Sequence, residues 1–236
     1  MSKNINEIDF ERSWQEKLAK AIEKSTDQET RERVMEGGKA LNQASSSEEK
    51  IRWTCQALGR LAETAVSETR QEILTQCACQ YPVEDLKEIK MNYQVKGDLD
   101  IVIDLLQEKF EGFLRESLGL DEELISVIRS KGWGLAGVLD AERKRVVATK
   151  IPKSGYIQDY FNESDLEEKR RYYCHCPRAR DGIGKEPRLQ EEYCYCGAGF
   201  YKGIWEEILG KPVRVEMLES VMSGDDVCKV AVYLPE

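Results

Sequence analysis

Histidine is almost missing from this chain: His175 stands alone in 236 residues. That excludes metal sites built only from imidazoles and leaves little for a serine–histidine or cysteine–histidine mechanism. A basic surplus is missing too. Lysine and arginine number 35 against 44 aspartates and glutamates, a net charge of -9. Non-specific nucleic-acid binding leaves a basic patch as its footprint, and here the cations are interspersed with acids, so no nucleic-acid partner is expected. No run approaches the ~20 apolar residues of a spanning helix, so no membrane insertion is expected. Residues 1–11 are polar and lack the apolar segment that secretion needs, which predicts a cytoplasmic protein. Internal repeats and low-complexity tracts are also lacking.

What the chain does have is eight cysteines. In a cytoplasmic protein these read as thiols or metal ligands rather than disulfides. The length is enough to bury a core without covalent staples.

The first half reads as helical. Phe10, Trp14, Leu18 and Ile22 recur at every fourth residue and share one face. Residues 25–27 can cap a following helix, which Gly37-Gly38 weakens. Ile51, Cys55, Leu58, Ala62 and Ala65 form a further stripe, introduced by serines that can cap it. Residues 98–118 give the strongest pattern, with Asp98 suited to the helix start and Gly119 to its end. Residues 121–130 continue as a short helix.

From Trp133 the character changes. Residues 134–140 and 145–151 predict a hairpin around Ala141-Glu142-Arg143-Lys144. Residues 171–176 predict a third strand. Residues 213–218 and 227–234 predict a fourth and a fifth. Strands gathered after helices predict an α+β protein: a helical N-terminal region over residues 1–96, then an α+β domain over residues 97–236 with a mostly antiparallel sheet packed with helices.

Two cysteine pairs carry the chemistry, Cys174-His175-Cys176 and Cys194-Tyr195-Cys196. On a strand, residues two apart point to the same side. Extended backbone would therefore present each pair's sulfurs together and turn His175 away as a surface or packed side chain. The loop between, with Gly182, Gly184 and Pro187, can fold back to bring the pairs together. Four thiolates at about 2.3 Å suit a closed, structural zinc shell. Reduced structural thiols, redox chemistry and an iron–sulfur cluster remain open, because sulfur-rich sites do not cleanly separate these metals. Cys77 and Cys79, ahead of Tyr81-Pro82, read either as further ligands or as small buried hydrophobes. Gly197-Ala198-Gly199 reads weakly as an anion-binding turn before a helix. Phe200, Ile204 and Ile208 mark one side of that helix, with Tyr201 and Trp205 beside them.

The run Gly199-Phe200-Tyr201-Lys202-Gly203, then Leu209-Gly210-Lys211-Pro212-Val213, Gly224-Asp225 and Cys228 resembles the end of 4-vinyl-reductase-type domains. Their wider ligand-binding fold includes sensor domains of phenol- and xylene-responsive activators and vesicle-tethering transport-particle subunits. The cysteine pairs resemble more closely an uncharacterised bacterial and archaeal family with helices in front. The first resemblance implies a fold that binds a small hydrophobic molecule. It also implies a zinc site from a cysteine before the helix, a glutamate and a cysteine near the turn, and a last cysteine in the final strand. Cys194 and Cys228 match the outer two positions. Met217 and Ser220 occupy the inner two, so that ligand set is broken, and Cys174, Cys176 and Cys196 would have to substitute.

The expectation is a metal-stabilised small-molecule-binding or sensor protein. Zinc, or alternatively an iron–sulfur cluster, would be organised by Cys174, Cys176, Cys194 and Cys196, with Cys228 as an optional ligand. Trp133, Phe200 and Trp205 would border the ligand cavity. Two alternatives stand beside it. One is a metal-dependent hydrolase or reductase acting on a small molecule, for which the sequence names no catalytic residue. The other is a scaffold whose N-terminal helices bind a partner or form a homodimer.

Overall fold

A computed structural model describes residues 9–235. Residues 1–8, part of the polar stretch read above as carrying no secretion signal, lie outside the described residues. Among the described residues seven α-helices come first: α1 (Phe10–Ser25), α2 (Gln28–Val34), α3 (Ser47–Ala62), α4 (Ser67–Thr75), α5 (Lys87–Lys96), α6 (Leu99–Glu116) and α7 (Glu122–Ser130). Their starts are written in the sequence. Asp9, Asp27, Asp98 and Asp121 each accept a backbone N–H of the first turn, and Ser46 with Glu49 forms a capping box before α3. Each such side chain satisfies a donor that the helix itself leaves unpaired.

The stripe on α1 buries Trp14, Leu18 and Ile22, while Phe10 remains exposed. On α3 the buried face centres on Ile51, Trp53, Ala57, Leu58 and Leu61. Among the described residues no helix is long and apolar enough to cross a membrane.

The second half supplies β1 (Val138–Asp140), β2 (Arg145–Thr149), α8 (Ile157–Asn162), α9 (Leu166–Tyr173), α10 (Pro177–Gly182), α11 (Tyr195–Leu209), β3 (Arg214–Glu219) and β4 (Lys229–Tyr233). The strands form one antiparallel sheet in the order β1-β2-β4-β3. The architecture is α+β, helices first and sheet after. The hairpin and the last two strands fall where the residue pattern predicts them.

The strand predicted over residues 171–176 is not formed. Asp165 caps a helix there, accepting from Glu167 N and Glu168 N, and the chain stays helical through Tyr173.

Helix α11 holds the second half to the first. One side lies on β3 and β4 and the other on α4 and α5. Ala198, Tyr201, Ile204, Trp205 and Ile208 join Val146, Val215, Val230 and Val232 in one core, together with Leu86, Ile89, Val102 and Leu106 from the helical half. A second core runs from Trp14, Leu18 and Trp53 to Tyr173, Tyr193 and Cys228. Neither core belongs to one half alone.

Candidate functional site

The late cysteines collect where α9, α10, the start of α11 and β4 meet. Cys174 ends α9, and Cys176 precedes α10 with Pro177 at its first turn. Proline suits that position because the first helical N–H groups have no partner in the helix. The pair thus marks a corner between two helices rather than a strand. His175 points away from its neighbours, its Nε2 lying 2.8 Å from Ile151 O.

The second pair is helical as well. Cys194 closes a 3-10 turn, and Cys196 lies in the first turn of α11. Residues two apart on a helix diverge by about 200°, so these two sulfurs cannot share a face as extended backbone would allow. Cys194 Sγ lies 3.1 Å from Ser220 Oγ. The Ser220 hydroxyl also lies near the Cys228 thiol and favours its ionised form. Cys196 faces the helical half, where Trp14, Cys77 and Cys79 are its neighbours. The doublets therefore meet in one region but split around it, and Cys176 is a neighbour of both groups. Among the described residues no three Cys, His, Asp or Glu side chains are arranged to hold a metal ion.

Burial dominates the acidity of these thiols. It raises Cys174 well above the ordinary cysteine value, and nearby Cys176, Cys228 and Cys194 raise it further. Cys194 and Cys196 are both pushed up to about 12, burial again being the first cause. The ammonium of Lys150 pulls against this at Cys194, Cys196 and Cys228, without overcoming it. A nucleophilic cysteine needs the opposite, a lowered pKa that keeps thiolate at neutral pH. Burial thus works against a nucleophilic role for Cys174, Cys194, Cys196 and Cys228.

A polar layer fixes the walls. Tyr193 Oη lies 3.1 Å from Cys176 Sγ. Tyr173 Oη donates to Lys150 O and accepts from Cys228 N at 3.1 Å. Arg178 pairs with Glu11, both almost fully buried, and its guanidinium stacks 4.3 Å from the Trp14 ring centre. The residue pattern hid Arg178, Lys150 and Glu11, since each resembles the many solvated charges around it.

The three aromatics proposed for a ligand cavity are not brought together. Trp205 is sealed in the core over the sheet, its Nε1 without a partner among the described residues. Phe200 is half-buried against Tyr81 and Tyr201, with Lys150 Nζ 5.8 Å from its ring centre. Trp133 walls a cleft of about 390 Å³ together with Tyr160, Lys131 and Lys169. A second cleft of about 360 Å³ lies between α9, α10 and the β3–β4 connection. The Gly197-Ala198-Gly199 segment falls inside α11 rather than before it, so it forms no anion-binding turn.

Fold and site together define an α+β protein whose C-terminal half wraps a cluster of buried thiols. Residues 151–236 match a family of unknown function (DUF6144), a stretch that includes all five late cysteines. No curated protein and no solved structure matches the chain significantly.

Proposed function

We propose that this chain is a metal-stabilised small-molecule-binding protein in which Cys174, Cys176, Cys194 and Cys228 supply a thiophilic ion, zinc before iron–sulfur, with Cys196 in reserve. One observation carries the reading: residues from three separate elements, far apart in sequence, converge as thiols with Ser220 between two of them. The donor chemistry suits a soft or borderline cation, and thiolate ligands are the strongest match for zinc among these side chains. The ion would ionise thiols that burial otherwise keeps protonated, so binding and folding would be coupled. The sulfurs as described stand apart from ligand geometry, and loading would draw them inward.

Elemental analysis of untagged protein purified without oxygen tests this. About one zinc per chain is expected, falling in Cys176→Ser and Cys194→Ser. Near-zero zinc and iron, with all eight cysteines titrating as free thiols after denaturation, rejects the reading.

A further inference from the structure

We propose that the Trp133–Tyr160 cleft binds a small aromatic carboxylate. The cleft is walled by two ring systems 5.7 Å apart between centroids and inclined at 69°. Both residues are largely buried, at 4% and 7% exposure, so the rings are held in place by the core behind them. Leu166 and Val227 add apolar surface.

Four cations border this space in a protein whose net charge is -9. Two are already committed. Arg170 donates to Gly224 O and Asp225 O and reaches Asp226 at 4.0 Å, and Lys229 pairs with Glu219 at 2.6 Å. Lys131 and Lys169 are different. Their Nζ atoms lie 5.2 Å and 4.9 Å from the ring centres of Trp133 and Tyr160. Among the described residues neither has a carboxylate within ion-pair distance; each is held only by the face of a ring. A ring face attracts an ammonium weakly at an exposed site, so both remain available to an anion.

The occupant this suits is flat and apolar at one end and negatively charged at the other. Its ring would lie along Trp133 and Tyr160 and its charge between Lys131 and Lys169. Lysines act as point charges and impose no fork geometry, so nothing in the cleft selects a phosphate over a carboxylate. The aromatic walls select the ring. Asp226, the acid at the rim, is 85% exposed and lies 4.0 Å from Arg170, so its charge is screened by water and offset by that guanidinium.

This inference rests on the small-molecule-binding reading above but not on the metal. The same metal-analysed, full-length preparation should be titrated calorimetrically with benzoate, benzamide and inorganic phosphate. Benzoate should saturate in the millimolar range, with benzamide and phosphate weaker by about tenfold or more. The double variant Lys131→Gln, Lys169→Gln changes only side chains at the surface and should weaken benzoate by about tenfold. A charge-matched control, Lys39→Gln with Lys96→Gln, should leave it unchanged. The proposal is overturned if benzoate does not saturate, if phosphate binds as well, or if the two double variants behave alike. Protein that carries zinc but ignores benzoate loses the cleft and keeps the metal; the converse loses only the metal.

Discussion

Gly199 is where α11 touches α4 most closely. A Cβ placed there would lie 2.0 Å from Thr75 O and 2.7 Å from Thr75 C, both backbone atoms that cannot swing aside. Gly203, one turn later, is exposed and has nothing within 4 Å of such a carbon. The two glycines should therefore respond oppositely to alanine. Gly199→Ala should cost about 2–3 kcal/mol, a fall of roughly 4–12 °C in Tm for a chain of this size. Gly203→Ala should raise Tm by roughly 1–4 °C, because a helix-interior glycine carries an entropic cost without a packing return. A thermal melt of the two variants decides this; equal effects would mean that the helices do not approach as described. The sequence alone could not separate these glycines, since closeness to another helix leaves no local mark. The same blindness explains the cysteines. Spacing told that four sulfurs belonged to two pairs, but only the backbone at each pair decides where the sulfurs point.

At the scale of elements, α6 and α7 are fastened by Arg129, whose Nε donates to Glu111 Oε1 at 2.7 Å and whose NH2 group donates to the other oxygen. Gln107 donates to the same carboxylate at 3.0 Å. The Arg129 hydrogen bonds hold Glu111 below the usual carboxylate range, with help from Gln107. Its ionised form is thus favoured in the folded chain. The resulting stability is fully present above about pH 4.3, the ordinary glutamate value, and is lost as pH falls through the lower folded value. Glu111→Gln should lower Tm by roughly 1–3 °C at pH 7, and the gap should shrink progressively as the pH is taken below about 4.3. A gap that persists undiminished in acid would remove the ion pair as its cause. Elements like these were the most legible part of the fold. Caps and period-four stripes put five of the first seven helices in view, while α4 and α5, whose apolar stripes are short, went unread; alternation with turn residues marked the hairpin and the closing strands. Helix α9 was missed because Tyr172 and Tyr173 favour strands. Yet Asp165, followed by Glu167 and Glu168 and later by Arg170 and Arg171, carries the charge order of a helix from start to end.

For the whole molecule, the decisive fact is that both cores draw on both halves. Lys90 meets Glu207 at 2.9 Å, Lys202 meets Glu72 at 2.6 Å, and Arg70 grips Glu192 at 2.6 Å, all across the division near residue 96. A fragment of residues 97–236 would expose one side of α11 and lose the Trp14 and Trp53 side of the thiol cluster. It should lack a near-ultraviolet circular dichroism signal and melt without cooperativity; a sharp, reversible transition would show that it folds alone. The sheet adds a matter of timing. Strand β4 pairs with both β2 and β3, and it is the last of the four to leave the ribosome. Until then the hairpin and β3 carry open edges of the kind that recruit other chains. Glu11 likewise waits for Arg178, 167 residues downstream, an interval of roughly ten to thirty seconds of translation. Synthesis thus leaves the buried acid of the first helix and the free edge of the hairpin waiting over part of the same interval, an exposure of the kind that favours aggregation before a chain is complete.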